Sequence, residues 1–320
     1  MLNTLRCTFL LMFLSLPCQL LAIDKQFNVG LSVWSGYPNS VEGFKAALSE
    51  AGLIEGKNIH YLMGNSGGDK TKQKQIAEQF KGANLDLVYS LTTPGTVIIK
   101  KTLPPSTPVV FSIVTYPADS GLIESFEYSG NNLVGTSNYV PLHNHVSLLK
   151  AILPDAKTVA IFHRKGEPNS KIQTAGLNRS FKRKGITVLD RTPSTLEEVT
   201  MMAKALIGKV DAFVTTTDTL MQSGGEEALI KLSLRHKIPI LSSNKSGLEK
   251  GSTFGPVADL YTLGKLSGEK AVKILLHNAE PSRLESEYQD PPLTLLNRAS
   301  IKALGLRITD TLLNSSKWID

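Results

Sequence analysis

Cysteine is nearly absent from this chain. Only 2 of the 320 residues are cysteines, Cys7 and Cys18, and both lie close to the N-terminus. Two thiols are too few for a disulfide-stapled scaffold or a four-thiolate zinc site. Pro17 directly before Cys18 makes a poor lipoprotein signal, so we do not expect a lipid anchor. A chain cleaved after these residues has no thiol, which also excludes thiol catalysis and iron–sulfur chemistry.

Long hydrophobic runs are also missing. The most apolar stretch, Leu10–Leu16, is much shorter than the roughly 20 residues that span a bilayer. It follows Arg6, the only charged residue among the first 22, and it precedes a small residue, Ala22. A basic start, a short apolar region and a small residue at the cleavage point are typical of a secretory signal peptide. We therefore predict a signal peptide over residues 1–22 and export to the periplasm.

Positive charge is in excess, but it is not concentrated. A formal net charge of +7 raises the question of a nucleic-acid partner. The basic residues are scattered, and the cluster between Arg179 and Lys184 falls at a predicted helix C-terminus, where cations are favoured by the helix dipole. A ligand-responsive repressor would also need an N-terminal helix-turn-helix, where this chain has its predicted leader. We expect no nucleic-acid partner.

Signatures of catalysis are weak as well. The sequence contains no His-Glu-x-x-His or phosphate-loop motif, and the glycine-rich Gly64–Gly68 lacks the lysine and spacing of a phosphate loop. His143 and His145 form the one tight histidine pair, but residues two apart on a helix point to different faces. His163, at the end of a predicted strand, is the best candidate for a catalytic histidine. We predict that the protein is not an enzyme and that it needs no metal or cofactor.

Apolar stretches of strand length alternate with helical patterns along the rest of the chain. The alternation starts with Phe27–Val33 and a helix after Pro38, for which Asn39 is the predicted N-cap, and it starts again after Tyr139. Continuous apolar strands separated by helices indicate parallel sheets that are covered on both faces. The predicted fold class is α/β, with two doubly wound parallel-sheet lobes.

The turns that follow the predicted strands carry the candidate chemistry, because ligands bind such sheets beyond the carboxyl ends of the strands. Hydroxyl and amide side chains dominate these turns, and helix N-termini behind them favour a ligand carboxylate. Asp218, at the tip of a strand, suits a ligand amine. Together these groups predict a zwitterionic ligand such as an amino acid. As an alternative, Thr93-Pro94, Asn169-Ser170 and Asp218 also suit simple helix caps.

Several short segments follow one another in an informative order. They are Glu42–Lys45, Ala51–Asn58, Thr93-Pro94, Pro108–Phe111, Gly130–Thr136, Leu153–Lys157, Gly166–Ser170, Val210–Ala212, Thr217-Asp218 and Ile238-Pro239. Each is weak alone, but their order and spacing resemble the ABC-transporter substrate-binding proteins of the tryptophan/tyrosine-uptake type. The resemblance covers nearly all of the mature chain. It implies a type I periplasmic binding protein fold, with two lobes joined by a three-crossover hinge and one ligand bound between them by hinge closure.

The resemblance also implies ligand contacts and a partner. Asp218 is expected to receive the α-amino group of an amino acid, and Thr93, Asn169 and Ser170 are expected to hold its carboxylate. The full predicted set is Trp34, Ser35, Tyr37, Thr93, Ser112, Thr115, Tyr139, Asn169, Ser170, Thr217, Asp218 and Asn244. Trp34, Tyr37 or Tyr139 would pack on the ligand side chain, which is worth about 0.5–1.5 kcal/mol beyond area burial. The expected partner is an ABC permease in the inner membrane.

Two positions depart from the family pattern. Tyr116 follows Thr115 where the family often has Asp, and Asn244 follows Ser243 where it often has Asp. Two acidic contacts are thus lost beside the expected cleft. The loss favours a less cationic or more apolar ligand, and we expect an aromatic or other hydrophobic amino acid.

Lobe boundaries follow from the resemblance and from Gly/Pro punctuation. The N-terminal lobe is predicted to comprise residues 23–137 plus 258–285, and the C-terminal lobe residues 138–257 plus 286–320. Pro291-Pro292 marks the third crossover. We expect a monomer. A periplasmic ligand sensor that docks on a membrane receptor would use the same cleft and stays open as an alternative to uptake.

Overall fold

A computed structural model describes residues 25–320, and the predicted signal peptide lies outside these residues. The strands are β1 (Phe27–Val33), β2 (Ile59–Asn65), β3 (Leu87–Leu91), β4 (Val109–Ser112), β5 (Leu133–Ser137), β6 (Thr158–Phe162), β7 (Thr187–Arg191), β8 (Ala212–Thr215), β9 (Ile240–Leu241), β10 (Phe254–Val257), β11 (Glu287–Tyr288), β12 (Leu293–Asn297) and β13 (Lys317–Ile319). The helices are α1 (Pro38–Glu50), α2 (Lys70–Gly82), α3 (Thr93–Thr102), α4 (Leu142–Ile152), α5 (Pro168–Arg183), α6 (Leu196–Lys204), α7 (Glu226–His236), α8 (Lys245–Glu249), α9 (Leu260–His277), α10 (Arg298–Leu304) and α11 (Asp310–Ser315).

The first sheet has the strand order β2-β1-β3-β4-β5-β11, and all of its neighbouring strands are parallel. One face packs against α1 and α9 through Phe44, Leu48 and Ile274, among others. The other face packs against α2 and α3 through Phe80 and Ile99. Burial on both faces explains why its central strands are apolar without interruption. We call this sheet with its helices the N-terminal lobe.

The second sheet has the order β7-β6-β8-β9-β10-β12-β13. Its first five strands are parallel, and β12 runs antiparallel to β10. Helices α4, α5 and α10 cover one face through Leu149, Phe181 and Ile301, and α6 and α7 cover the other through Val199 and Leu229. We call this unit the C-terminal lobe. Two doubly wound lobes confirm the predicted fold class.

Within residues 25–320 the chain passes between the two sheets three times. The crossovers follow β5, follow β10, and join β11 to β12. The predicted change of lobe at residue 286 precedes the change of sheet, because Glu287 and Tyr288 pair with Thr136 and Ser137 of the first sheet. Membership in the first sheet thus extends through β11, and the chain joins the second sheet at β12.

Helices α1 and α9 lie backbone against backbone. A Cβ atom on Gly43 would stand 2.1 Å from the carbonyl oxygen of Tyr261, and one on Gly264 would stand 2.1 Å from that of Ser40. Only glycine permits so close an approach. Because α1 follows β1 and α9 follows the second crossover, the packing fixes the turn after β1 relative to the hinge.

The start of α1 differs from the prediction. The helix begins at Pro38 with Tyr37 as its N-cap residue, and no side-chain hydrogen bond caps it, so the prediction that Asn39 caps the helix is wrong. Proline has no N–H and a φ already suited to a helix, so it is favoured at the first helical position. The helix therefore starts before Asn39 is reached.

None of the helices in residues 25–320 is both long enough and apolar enough to cross a bilayer.

Candidate functional site

The carboxyl ends of the two sheets face each other across a cleft that contains two cavities. The Trp34 pocket, about 370 Å³, is lined by Trp34, Gly68, Asp69, Lys70 and Pro94 of the N-terminal lobe and by Arg164, Lys165, Gly166, Glu167 and Pro168 of the C-terminal lobe. The Tyr37 pocket, about 330 Å³, is lined by Ser35, Gly36, Tyr37, Pro38, Asn39 and Leu260 on one side and by Gln222, Ser223, Ser246 and Lys250 on the other. Both volumes suit a small ligand.

Backbone strain is concentrated on the N-terminal side of the cleft. Tyr37, Thr92 and Ile113 follow β1, β3 and β4, and their φ angles are 63°, 69° and 58°. Positive φ is uncommon for any residue with a Cβ and is a true outlier for β-branched Thr and Ile. Strain of this kind persists where surrounding structure enforces it, and it concentrates at binding sites.

Four buried polar groups at the cleft have no hydrogen-bond partner among residues 25–320. They are Trp34 Nε1, Thr92 Oγ1 and Thr93 Oγ1 in the N-terminal lobe and Asn169 Oδ1 in the C-terminal lobe. A Cβ atom on Gly95 would lie 3.5 Å from both Thr92 Oγ1 and Trp34 Cβ, so the first turn of α3 packs on the indole. A buried polar group without a partner is costly, so each of these atoms is suited to a ligand contact.

Asp218 is fully buried at the end of β8, and its carboxylate is occupied by the protein itself. Oδ1 accepts from the backbone N–H of Met221 at 2.8 Å, and Oδ2 accepts from Arg164 N at 3.0 Å and Thr216 Oγ1 at 2.7 Å. Burial and then the nearby Glu167 carboxylate together raise its pKa to about 7, against the opposing effect of these hydrogen bonds. Asp218 therefore caps the turn at Met221, as the alternative interpretation of the sequence expects.

Glu167 is the second buried carboxylate of the cleft, and the sequence analysis did not assign it a ligand contact. It is 7% exposed and lines the Trp34 pocket. Thr219 donates to it from its backbone N–H at 3.3 Å and from Oγ1 at 2.7 Å. Burial raises the pKa of Glu167, while Thr219 and Arg164 oppose the rise. The sequence does contain a sign of its location, because Glu167 directly precedes Pro168 at the start of α5, and the turns before such helices line the cleft.

Tyr37 connects the two lobes electrostatically. Burial raises the pKa of its hydroxyl, and the carboxylates of Glu167 and then Asp218 raise it further. The Tyr37 hydroxyl thus lies within the field of both acidic groups, although it belongs to the opposite lobe. Ser35, two residues earlier, is half-buried and lines the Tyr37 pocket.

A polar contact joins the lobes deeper in the cleft. Thr115 Oγ1 lies 3.2 Å from Thr217 Oγ1, and it donates to Asn138 Oδ1 at 2.9 Å. Gln173 Oε1 accepts from the backbone N–H of Thr217 at 2.9 Å, and Asn169 Nδ2 donates to the Thr217 carbonyl at 2.8 Å. Thr115, Asn169 and Thr217 are therefore together at the cleft. Gln173 is an additional residue there that the sequence analysis missed.

Two predicted residues point into the lobes instead. Ser112 is fully buried in a chain of hydroxyls, 3.3 Å from Ser40 Oγ and 2.9 Å from Thr136 Oγ1. Ser170 Oγ donates to the Glu167 carbonyl at 3.1 Å and closes the turn that carries Glu167. Ser112 ends β4 and Ser170 lies in the first turn of α5, but the hydroxyls of both bond within their own lobe.

Tyr139 belongs to an aromatic cluster at the crossovers. Its ring centroid is 5.6 Å from that of Tyr116 and 5.6 Å from that of Tyr288, and Tyr288 is 5.7 Å from Phe126. The edge-to-face geometry is favourable for aromatic pairs. The cluster ties the first crossover to the third.

Asn244 braces the C-terminal edge of the cleft. Its Nδ2 donates to the Thr216 carbonyl at 3.0 Å and to Glu226 Oε2 at 2.8 Å. Glu226 is 2% exposed and also accepts from Thr215 Oγ1 at 3.1 Å and Ser252 Oγ at 2.6 Å. This carboxylate holds the ends of β8 and β9 together beneath the cleft. Among residues 25–320 no cluster of three or more His, Cys, Asp or Glu side chains is arranged to hold a metal ion.

Two α/β lobes with a polar and aromatic cleft between their sheets form an architecture that solute-binding proteins use. The family model of the ABC transporter substrate-binding proteins matches residues 35–318, so this chain belongs to that family. Its members are binding proteins, which confirms the prediction that the chain is not an enzyme. The predicted resemblance to this family is likewise confirmed.

Three individual proteins that this chain resembles are also binding proteins or domains of ABC type or of related description. A tyrosine-binding protein of Clostridioides difficile (strain R20291) is 29% identical over 286 residues, which cover 88% of this chain and 82% of that protein. An ABC domain in complex with L-Trp from Streptococcus pneumonia is 23% identical with a TM-score of 0.86, covering 92% of this chain and all of that one. The ligand-free, open structure of an adhesive substrate-binding protein from Clostridium difficile is 26% identical with a TM-score of 0.73, covering 92% and 99%.

Proposed function

We propose that this chain is the extracytoplasmic solute-binding protein of an ABC importer and that it binds an aromatic amino acid in the cleft between its lobes. The observation that carries the proposal is the complementarity of the two cleft edges. One edge offers an indole and buried hydroxyls that have no partner within residues 25–320, and the other offers two buried carboxylates. A zwitterion satisfies both edges at once.

The ligand carboxylate is proposed to bind the N-terminal lobe. Thr93 Oγ1 is buried without a partner among the described residues, and it stands at the first position of α3. Helix N-termini favour anions because their first N–H groups are unpaired and the dipole is positive there. The hydroxyl and the helix end supply donors of the kind a carboxylate needs.

The ligand ammonium is proposed to bind the C-terminal lobe. Glu167 and Asp218 carry negative charge into a site with little solvent, and Asn169 Oδ1 is an acceptor without a partner among residues 25–320. An ammonium group has three N–H donors and no acceptor, so it matches a group of oxygens. The guanidinium of Arg164 is 4.0 Å from the Glu167 carboxylate at its closest, which is longer than a hydrogen bond.

The ligand side chain is proposed to pack against Trp34 and Tyr37. Trp34 is 2% exposed and lines one cavity, and Tyr37 lines the other. Pro94 and Pro168 add apolar surface from opposite lobes of the Trp34 pocket. The names of two relatives support an aromatic ligand, since one is a tyrosine-binding protein and another is a complex with L-Trp.

Hinge closure is proposed as the binding mechanism. The contact between Thr115 and Thr217 crosses between the lobes, and Tyr37 lies near the acidic pair of the opposite lobe. A ligand favours closure only through its higher affinity for the closed state. The closed lobes would present one surface to a permease in the inner membrane, and the predicted signal peptide supports a periplasmic location.

Isothermal titration calorimetry of the mature chain, residues 23–320, with a panel of amino acids tests this function. We expect Trp, Tyr or Phe to bind in the micromolar range or tighter, and Ala, Glu and Lys to bind far more weakly. Small-angle scattering should record a smaller radius of gyration, or no change from an already closed state, when the ligand is added. A Trp34→Ala variant should lose affinity for aromatic ligands. Absence of binding by every aromatic amino acid would contradict the proposal.

A further inference from the structure

We infer that Glu167 is the carboxylate that contacts the ligand's ammonium group and sets the preference for amino acids, while Asp218 is a positioning residue. The inference rests on the proposed function and refines it. It also reverses the expectation drawn from family resemblance, in which Asp218 is the contact. Three observations carry it: the hydrogen bonds of Asp218, the position of Glu167 and the charge of the cleft.

The hydrogen bonds of Asp218 are directed to its own lobe. Its two oxygens accept from two backbone N–H groups, those of Arg164 and Met221, and from the hydroxyl of Thr216. An ionised carboxylate offers about four acceptor positions, so three of them are used. A side chain that turned toward a ligand would leave two buried N–H groups unpaired, which is unfavourable. Asp218 is also fully buried and does not line either cavity.

Glu167 has the opposite arrangement. It lines the Trp34 pocket, it accepts hydrogen bonds from Thr219, and the side chain of Asn169 also helps to lower its pKa. Arg164 is 4.0 Å away, at the limit of an ion pair, and its guanidinium also donates to Thr219 Oγ1. Glu167 therefore keeps acceptor capacity on the side of the pocket. Asn169, two residues along, adds a buried oxygen without a partner among residues 25–320.

The pair of buried carboxylates favours a cation beside Glu167, although Lys70, Arg164 and Lys165 also line the Trp34 pocket. The Glu167 carboxylate helps to raise the pKa of Asp218, and both carboxylates help to raise the pKa of the Tyr37 hydroxyl. A positive group between Glu167 and the aromatic rings relieves this repulsion, since opposite charges within a few ångströms favour the ionised forms. The ammonium of an amino acid supplies that charge, whereas a ligand with a carboxylate alone does not.

The test is a ratio of affinities. Calorimetry gives the dissociation constants for L-tryptophan and for 3-indolepropionic acid, which lacks only the amino group, and the same pair is measured for L-tyrosine and 3-(4-hydroxyphenyl)propionic acid. The variants are Glu167→Gln and Asp218→Asn, each isosteric and uncharged. Glu269→Gln, at an exposed position on α9, is the matched control. Circular dichroism melting confirms that each variant is folded.

We expect the wild type and E269Q to prefer the amino acid by about 30-fold or more, because removing one partner of a buried charge pair weakens binding at least that much. E167Q should lose most of this preference and bind the des-amino acid with nearly wild-type affinity. D218N should weaken both ligands together and keep the ratio within a few fold. A merely structural effect of Glu167 would likewise leave the ratio unchanged.

The opposite results are equally clear. E167Q with a wild-type ratio, or D218N with a lost one, overturns the assignment of Glu167 while leaving the proposed function intact. Wild-type protein that binds no aromatic amino acid contradicts the proposed function and this assignment with it. If E167Q does not fold, Glu167→Asp decides, because it keeps the charge but withdraws it by one methylene. A reduced ratio supports the inference and an unchanged ratio overturns it.

Discussion

The two edges of the cleft share one topology but are held in place by different means. On the N-terminal side the turns after three strands contain a non-glycine residue with positive φ, Tyr37, Thr92 or Ile113, and carry no buried acid. On the C-terminal side the turns after β6 and β8 lack such residues but contain the buried carboxylates Glu167 and Asp218. One edge is ordered through the backbone, and the other through charged side chains and their hydrogen bonds.

The difference is useful to a protein that must bind and release. Strained turns hold donors such as Thr93 in place without a partner in the described part of the chain, so the donors stay available. An ionised carboxylate that is buried without a nearby cation raises the free energy of the protein, and a bound cation lowers it again. The C-terminal edge therefore responds to the charge of the ligand. The proposed ligand would therefore find fixed donors on one edge and a charge-responsive group on the other.

The largest expected effect comes from breaking the network of the C-terminal edge at Glu226. Glu226→Ala leaves the donors of Thr215, Asn244 and Ser252 without their acceptor and opens a cavity, so we expect a loss of about 3 kcal/mol or more in the free energy of unfolding. Urea denaturation measures it. The control is Glu227→Ala, whose half-exposed ion pair with Lys250 is worth about 0–1 kcal/mol. Equal effects of the two substitutions would contradict the proposed bracing.

The next effect is on pH dependence. The pKa of Asp218 is raised from 3.8 to about 7, so the folded state holds this proton more tightly than the unfolded chain. The resulting stabilisation is complete below about pH 4 and is lost as pH rises through 7, at about 1.4 kcal/mol per pKa unit. The free energy of unfolding of the unliganded wild type, relative to Asp218→Asn, should therefore fall between pH 4 and 7. Urea titrations at five pH values measure it, and parallel curves would contradict it.

Sequence reasoning is reliable where local pattern decides the structure. The runs of apolar strand residues and the Pro and Gly boundaries of the helices predict both lobes, and the resemblance adds the crossovers. Local order also brings Trp34, Thr93 and Asn169 to the cleft, since each follows a strand of a parallel sheet. Their location could be predicted without knowing any tertiary contact.

Side-chain direction and burial could not be predicted in the same way. Ser112 ends a strand, where neighbouring side chains alternate between the two faces of the sheet, and its hydroxyl faces α1 rather than the cleft. Glu226 follows an irregular turn at Met221–Gly225, and its burial depends on donors from three other segments. Glu167 is similar, because Thr219 reaches it from a distant part of the chain. Such partners become neighbours only in the folded protein.

A smaller effect is expected at Thr93, where binding and stability should separate. Thr93→Val keeps the shape of the side chain and removes a buried hydroxyl that has no partner among the described residues. We expect the free energy of unfolding to change by less than about 0.5 kcal/mol, because no hydrogen bond within the protein is lost. The affinity for an aromatic amino acid should fall about tenfold or more, since a hydrogen bond to a charged carboxylate is worth about 1.5–3 kcal/mol. Calorimetry and urea denaturation measure the two quantities, and a loss of stability without a loss of affinity would contradict the assignment.

The smallest expected effect tests the strain of the N-terminal edge at Thr92, whose φ of 69° and ψ of 156° belong to a region that glycine occupies most readily. Thr92→Gly should therefore leave the free energy of unfolding unchanged or raise it by about 1 kcal/mol, because relief of strain of roughly 1–3 kcal/mol offsets the greater freedom of glycine in the unfolded chain. Thr102→Gly, at the other end of α3, is the matched control and should lower it by roughly 0.5 kcal/mol. Ligand affinity should fall a few fold in T92G, because a looser turn holds Thr93 less firmly. If urea denaturation finds T92G destabilised as much as T102G, the turn is not strained, and the contrast between a backbone-ordered and a charge-ordered edge does not hold.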